Sequence, residues 1–103
     1  MDLKEMQNNK LKFDKERSWD KFRASNVLVH LIEELGEIGR HINFEEKYKT
    51  KKIGHTHSIK KKDLEREFAQ TLMLFLQLAN HYDIDLEAVF AKELKIMEKR
   101  FRK

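Results

Sequence analysis

Apolar residues at Leu28, Leu31, Leu35, Ile38 and Ile42 recur at three- and four-residue steps. That period draws a stripe along one face of an α-helix and does not fit a strand. A second run is denser: Phe68, Ala69, Leu72, Met73, Leu74, Phe75, Leu76, Leu78 and Ala79 cover nearly the whole circumference of a helix. Proline is absent and glycine occurs only at 36, 39 and 54, so few residues interrupt long helices. The expected fold is all-α, with four helices in an antiparallel arrangement.

The first helix is expected over Leu3 to Phe22, with Leu3, Met6, Leu11, Phe13, Trp19 and Phe22 as its irregularly spaced apolar groups. The second is expected at about 27–42, capped by Ser25 or Asn26. The third runs at about 64–82 behind an Asp63 cap, with Glu65 where the helix dipole favours an acid. Asp83-Ile84-Asp85 makes a tight break, and Asp85 caps a fourth helix at about 86–101. A helix apolar all round needs cover on several sides. Three partner helices in 103 residues hardly supply it, so a homodimer or higher homo-oligomer with the third helix near the interface is expected. A central helix in a monomeric bundle is the alternative.

The length suits one domain over residues 1–103. Without cysteine there are no disulfides or thiolate zinc sites. No stretch reads as a membrane span and Met1-Asp2-Leu3-Lys4-Glu5 does not read as a signal peptide, so a cytoplasmic protein is expected. The net charge of +4 is local: residues 45–62 hold seven lysines against Glu45 and Glu46, or +5, and the remainder carries −1. This segment lacks apolar periodicity and reads as a connection. Its lysines either attract triphosphate or nucleic acid, or form a solvated loop, and no recognition motif accompanies them.

Glu34 and Glu37 share a helix face bordering the apolar stripe. Carboxylates near a core are tolerated when protonated, paired with cations or bound to a metal. Antiparallel packing of the second and third helices brings Glu67 within reach of both, and three carboxylates form a hard oxygen site suited to Mg²⁺ or Mn²⁺. The alternative is a solvated helix edge with weak ion pairs. His30, Glu34, Glu37 and His41 form one stripe; its histidines either supplement the acids or bond a neighbouring Glu. His55 and His57 read as a chance pair in the connection.

Glu34-x-x-Glu37 followed by Glu67-x-x-Gln70 resembles the ExxE…ExxD pattern of the all-α nucleotide pyrophosphohydrolases, the MazG-like superfamily. Flanking stretches are similar to its dCTP pyrophosphatase branch: Phe13 to Trp19 to F-x-x-x-R-D-W, Leu35-Gly36-Glu37-Ile38 to V-G-E-L, Leu78 to Leu86 to L-A-x-x-x-x-I-D-L, and Lys99-Arg100-Phe101 to a closing R-R-Y/F. The resemblance implies hydrolysis of a nucleoside or deoxynucleoside triphosphate to the monophosphate and pyrophosphate. It implies Glu34, Glu37 and Glu67 as catalytic metal ligands with Gln70 at a fourth ligand position, Mg²⁺ or Mn²⁺ as cofactor, and Trp19 and Phe44 near the nucleobase. Trp19 and Phe44 are otherwise read as core aromatics.

Several positions depart from that pattern. Gln70 stands where the family has Asp, removing one charge; Arg40 stands where the branch often has Glu; Glu93 and Met97 replace a phosphate-binding Lys and Asn. A non-catalytic nucleotide-binding or assembly module on the same scaffold is therefore the alternative function.

Overall fold

A computed structural model describes residues 1–46 and 61–103. The described residues are helical throughout their regular structure: α1 (Leu3–Glu16), a short 3-10 turn (Trp19–Lys21), α2 (Ala24–Glu45), α3 (Lys61–His81) and α4 (Leu86–Arg100). No strand occurs among them. The lysine-rich connection lies almost wholly outside the described residues. Two compact units are present, one formed by Met1–Ala24 with Leu76–Lys103, the other by Ser25–Phe75. α3 therefore contributes residues to both.

In the first unit, Asp2 caps α1 by accepting from the Glu5 amide at 2.8 Å. α1 stops at Glu16 rather than continuing to Phe22, because Ser18 takes a left-handed backbone (φ 61°) that no helix propagates through. The chain then makes its Trp19–Lys21 turn. Between α3 and α4, Asp83 is again left-handed (φ 53°), a conformation Asp tolerates better than most residues. Asp85 caps α4 as expected, accepting from the Ala88 amide at 3.2 Å. That amide, with the Lys4 ammonium nearby, holds the Asp85 carboxyl below the usual carboxylate range.

The interior of this unit is as polar as it is apolar. Leu76 and Ala79 are buried beside Gln7, Lys10, Asp14 and Gln77. Each of these polar groups has a partner. Gln7 clasps the α3–α4 turn: its Nε2 donates to the Ile84 carbonyl, its Oε1 accepts from the Leu86 amide, and its backbone carbonyl accepts from Asn80. Lys10 and Asp14 form an ion pair in which Asp14 is 1% exposed. The Lys10 Nζ lies 5.2 Å and 5.6 Å from the Phe13 and Trp19 ring centres, and Arg17 stacks over Phe13 from 3.6 Å. Gln77 donates to the Trp19 carbonyl, tying α3 to the 3-10 turn.

The second unit holds most of α2 and the first part of α3. α2 begins at Ala24, so Ser25 and Asn26 lie inside the helix instead of capping it. Likewise α3 begins at Lys61 and Asp63 sits in its first turn, where it acts on the dipole and not as the cap. Val27, Leu31, Ile38 and His41 form the buried line of α2. The expected stripe is only partly buried: Leu28, Leu35 and Ile42 are exposed, with Ile32 between them. These four and Gly39 follow a three-four spacing of their own. On α3, Phe68, Leu72, Met73 and Phe75 are also exposed, Phe68 by 57%. Among the described residues, the apolar circumference of α3 is thus left partly exposed.

Candidate functional site

Glu34, in the middle of α2, is largely shielded, with 19% of its side chain exposed. Its Oε1 lies 3.3 Å from His30 Nε2 one turn earlier, the spacing at which helix side chains meet. Glu67, half-buried on α3, comes within hydrogen-bonding reach of Glu34. Sharing a hydrogen bond with Glu34 raises the Glu67 pKa from 4.5 to about 7, and burial and the charges of Glu34 and Glu37 push in the same direction. Arg66 opposes them. Two like charges this close do not both ionise readily, so the pair retains a proton near neutrality. From α3 itself, Thr71 Oγ1 donates to the Glu67 backbone carbonyl at 2.8 Å.

Glu37 lies one turn beyond Glu34 and is half exposed, 3.5 Å from Arg40 Nη1. Its charge reaches Glu67, while its carboxylate faces that guanidinium. Gln70 is exposed on α3. The histidines of the stripe stand against neighbouring acids, His30 against Glu34 and buried His41 at 3.0 Å from Glu45. Phe44 is half-buried in the last turn of α2. Trp19 belongs to the first unit, where it packs edge-on to Phe13 and stacks with Phe22 while staying 40% exposed. His55 and His57 lie outside the described residues.

The donors here are carboxylate oxygens, the chemistry a hard divalent cation prefers. Among the described residues no group of three or more His, Asp or Glu side chains stands close enough together to hold a metal ion. The described residues thus build no closed protein cage, but Mg²⁺ commonly takes only one or two protein carboxylates and fills its remaining positions with water and substrate phosphate. Glu34 and Glu67 fit that demand. The raised Glu67 pKa follows from its hydrogen bond to Glu34, its burial and the neighbouring acids, which Arg66 offsets only in part.

Sequence reasoning missed the Lys10–Asp14 pair and the Gln7 clasp. Lys10 and Asp14 are one turn apart, a spacing that ordinarily signals an exposed ion pair, and nothing local distinguishes the buried version. Among the described residues no helix is long and apolar enough to cross a membrane. No known protein family, curated protein or solved structure matches the chain.

Proposed function

We propose that the chain is a Mg²⁺-dependent nucleoside triphosphate pyrophosphohydrolase of MazG-like type, acting as a homodimer. The observation that carries this reading is the meeting of Glu34 and Glu67 with the Glu67 pKa near 7. The ordered resemblance from Phe13 to Phe101 supports it. Glu34 and Glu67 would hold the ion that accompanies the triphosphate, with Glu37 adding negative charge beside them. When bound, the ion neutralises phosphate charge and lowers the pKa of a bound water.

The protein's own part is to orient the acids and hold a proton. His30 fixes the orientation of Glu34 through their 3.3 Å contact. With no ion bound Glu67 holds a proton near neutrality, which the ion would displace on binding, and the water that attacks the α-phosphorus would lose its proton to bulk water. A P–O bond forms there, the bond to the pyrophosphate oxygen breaks, and the electron pair leaves with pyrophosphate. Trp19 and Phe44 are the aromatic groups proposed for the base. Homodimerisation is supported by the exposed Leu28, Ile32, Leu35 and Ile42 of α2 and Phe68, Leu72 and Phe75 of α3. Apolar surface of that extent is characteristic of an interface.

A second reading, nucleotide binding or assembly without turnover, is favoured by exposed Gln70 and by Glu93 and Met97 on α4. Pyrophosphate release over a panel of ribo- and deoxynucleoside triphosphates with Mg²⁺ or Mn²⁺ decides between them. Glu67→Gln and Glu34→Gln are expected to lower kcat by about 100-fold or more, as loss of a carboxylate that holds the ion does, and Glu37→Gln, which removes only a neighbouring charge, to lower it less. Absence of turnover with every nucleotide and both metals would sink the enzyme reading, and calorimetric binding without turnover would select the second.

A further inference from the structure

α4 is a 15-residue amphipathic helix without a buried residue. Within its own unit it is held at its beginning: Lys4 meets Asp85 and Glu87, and Gln7 meets Ile84 and Leu86. Beyond that clasp, Phe90, Leu94 and Met97 of α4 and Phe101 at its C-cap follow at steps of four, three and four, the seam spacing of a helix that pairs with another helix. All four are exposed, Phe90 by 63%. Val89 and Ile96, also exposed, lie off this strip, on the far side of Glu93 and Arg100.

We infer that this seam pairs, antiparallel, with α4 of a second copy of the chain. The charges beside it select both the partner and the direction. In antiparallel register Phe90 meets the partner's Phe101 and Leu94 meets the partner's Met97, closing two apolar layers that the two-fold axis repeats. The same register sets Glu93 beside the partner's Arg100, and symmetry makes that contact twice. In a parallel pair Glu93 falls beside the partner's Glu98 instead, acid against acid. Parallel pairing also superimposes the cations Lys99, Arg100, Arg102 and Lys103 of the two chains, whereas antiparallel pairing moves them to opposite ends and opposes the helix dipoles favourably. The seam is self-complementary in one direction only. This surface lies on α4 and does not depend on the nucleotide reading.

Sedimentation equilibrium of the full chain from about 1 µM to about 1 mM tests it, because a short seam gives weak, concentration-dependent association. Glu93→Lys and Arg100→Glu are each expected to weaken self-association about tenfold, since each turns the two attractive contacts into repulsive ones. The double variant E93K/R100E restores it, and an equimolar mixture of the two single variants associates more tightly than either alone. Leu94→Asp, with its helicity checked by circular dichroism, halves the mass seen for the wild type. Three outcomes overturn the inference: a mass that Leu94→Asp and both charge variants leave unchanged, stronger association of Glu93→Lys alone (the parallel result), or no self-association that depends on α4. The last would hand the seam to a different partner. None of these measurements reads pyrophosphate release, so failure here and failure of the hydrolase reading are told apart.

Discussion

The two units handle shielded charge in opposite ways. In the first, Lys10 and Asp14 are opposite charges one turn apart, enclosed by Phe13 and Trp19, and each neutralises the other. In the second, Glu34 and Glu67 are like charges drawn from two helices, and a proton is what relieves them. A buried opposite pair is complete within the chain and serves the fold. A converging like pair is incomplete, and the missing element is a cation or a proton. The same physics of desolvated charge thus makes one cluster part of the fold and leaves the other the candidate site on which the proposed function rests.

Breaking the complete pair gives the largest effect. Asp14→Ala strands a buried ammonium and is expected to cost about 3–5 kcal/mol in chemical denaturation. Lys10→Met with Asp14→Leu, which removes both charges and keeps the volume, recovers most of that loss. A double variant as unstable as the single one would show that the pair is more than a matched charge.

The incomplete pair predicts the opposite sign. The folded pKa of Glu67, about 7, lies above its ordinary 4.5, so the folded state holds the proton more tightly than the unfolded state does. Its contribution is fully present below about pH 4.5 and is lost as pH rises to about 7. Against this, Glu67→Gln does not titrate. The variant should therefore match the wild type near pH 4.5 and exceed it by roughly 1–3 kcal/mol at pH 8, allowing for partial solvent screening. Mg²⁺ at pH 8 should raise the melting temperature of the wild type and leave that of Glu67→Gln nearly unchanged. A difference between the two proteins that is flat with pH would remove the like-charge account.

Smaller effects sharpen the contrast at its edges. Gln7→Leu deletes the side-chain bonds to Ile84 and Leu86 and should cost about 1–3 kcal/mol by thermal unfolding, since the turn's amide and carbonyl lose their partner. Gly36→Ala is the mildest. A Cβ there meets nothing within 4 Å, so the substitution should stabilise α2 by about 0.5–1 kcal/mol.

The helical class was legible because the apolar residues of α2, α3 and α4 keep a helical period and no proline interrupts them. The α4 cap was legible for a local reason, as Asp85 needs only the amide three residues on. The end of α1 was not, because Ser18 is an ordinary helix residue in composition and its left-handed backbone is imposed by the turn that follows. The irregular apolar pattern of α1 has a related cause: Gln7, Lys10 and Asp14 occupy buried positions where a periodicity search expects apolar residues. On α2, one stripe in sequence separates into a buried line through Leu31 and Ile38 and an exposed line through Leu28, Leu35 and Ile42. Periodicity places residues on a face but does not say what covers it. At the candidate site the sequence offered Glu34, Glu37 and Glu67 as one set. The structure sets Glu34 against Glu67 and turns Glu37 toward Arg40, a choice made by side-chain pairing that spacing alone does not contain.

The clasp at the start of α4 also has a kinetic consequence. Anchored near residues 84–87 and exposed from Glu87 onward, the helix has its restraint at one end. Local opening should therefore begin at Arg100 and run back toward Leu86, which in amide hydrogen exchange reads as protection declining steadily along the helix. Limited proteolysis should cut first after Lys99 or Arg100 and only later near Lys92. At protein concentrations where copies associate through the seam, the gradient should flatten, so the exchange profile of one helix would report the occupancy of its surface residue by residue.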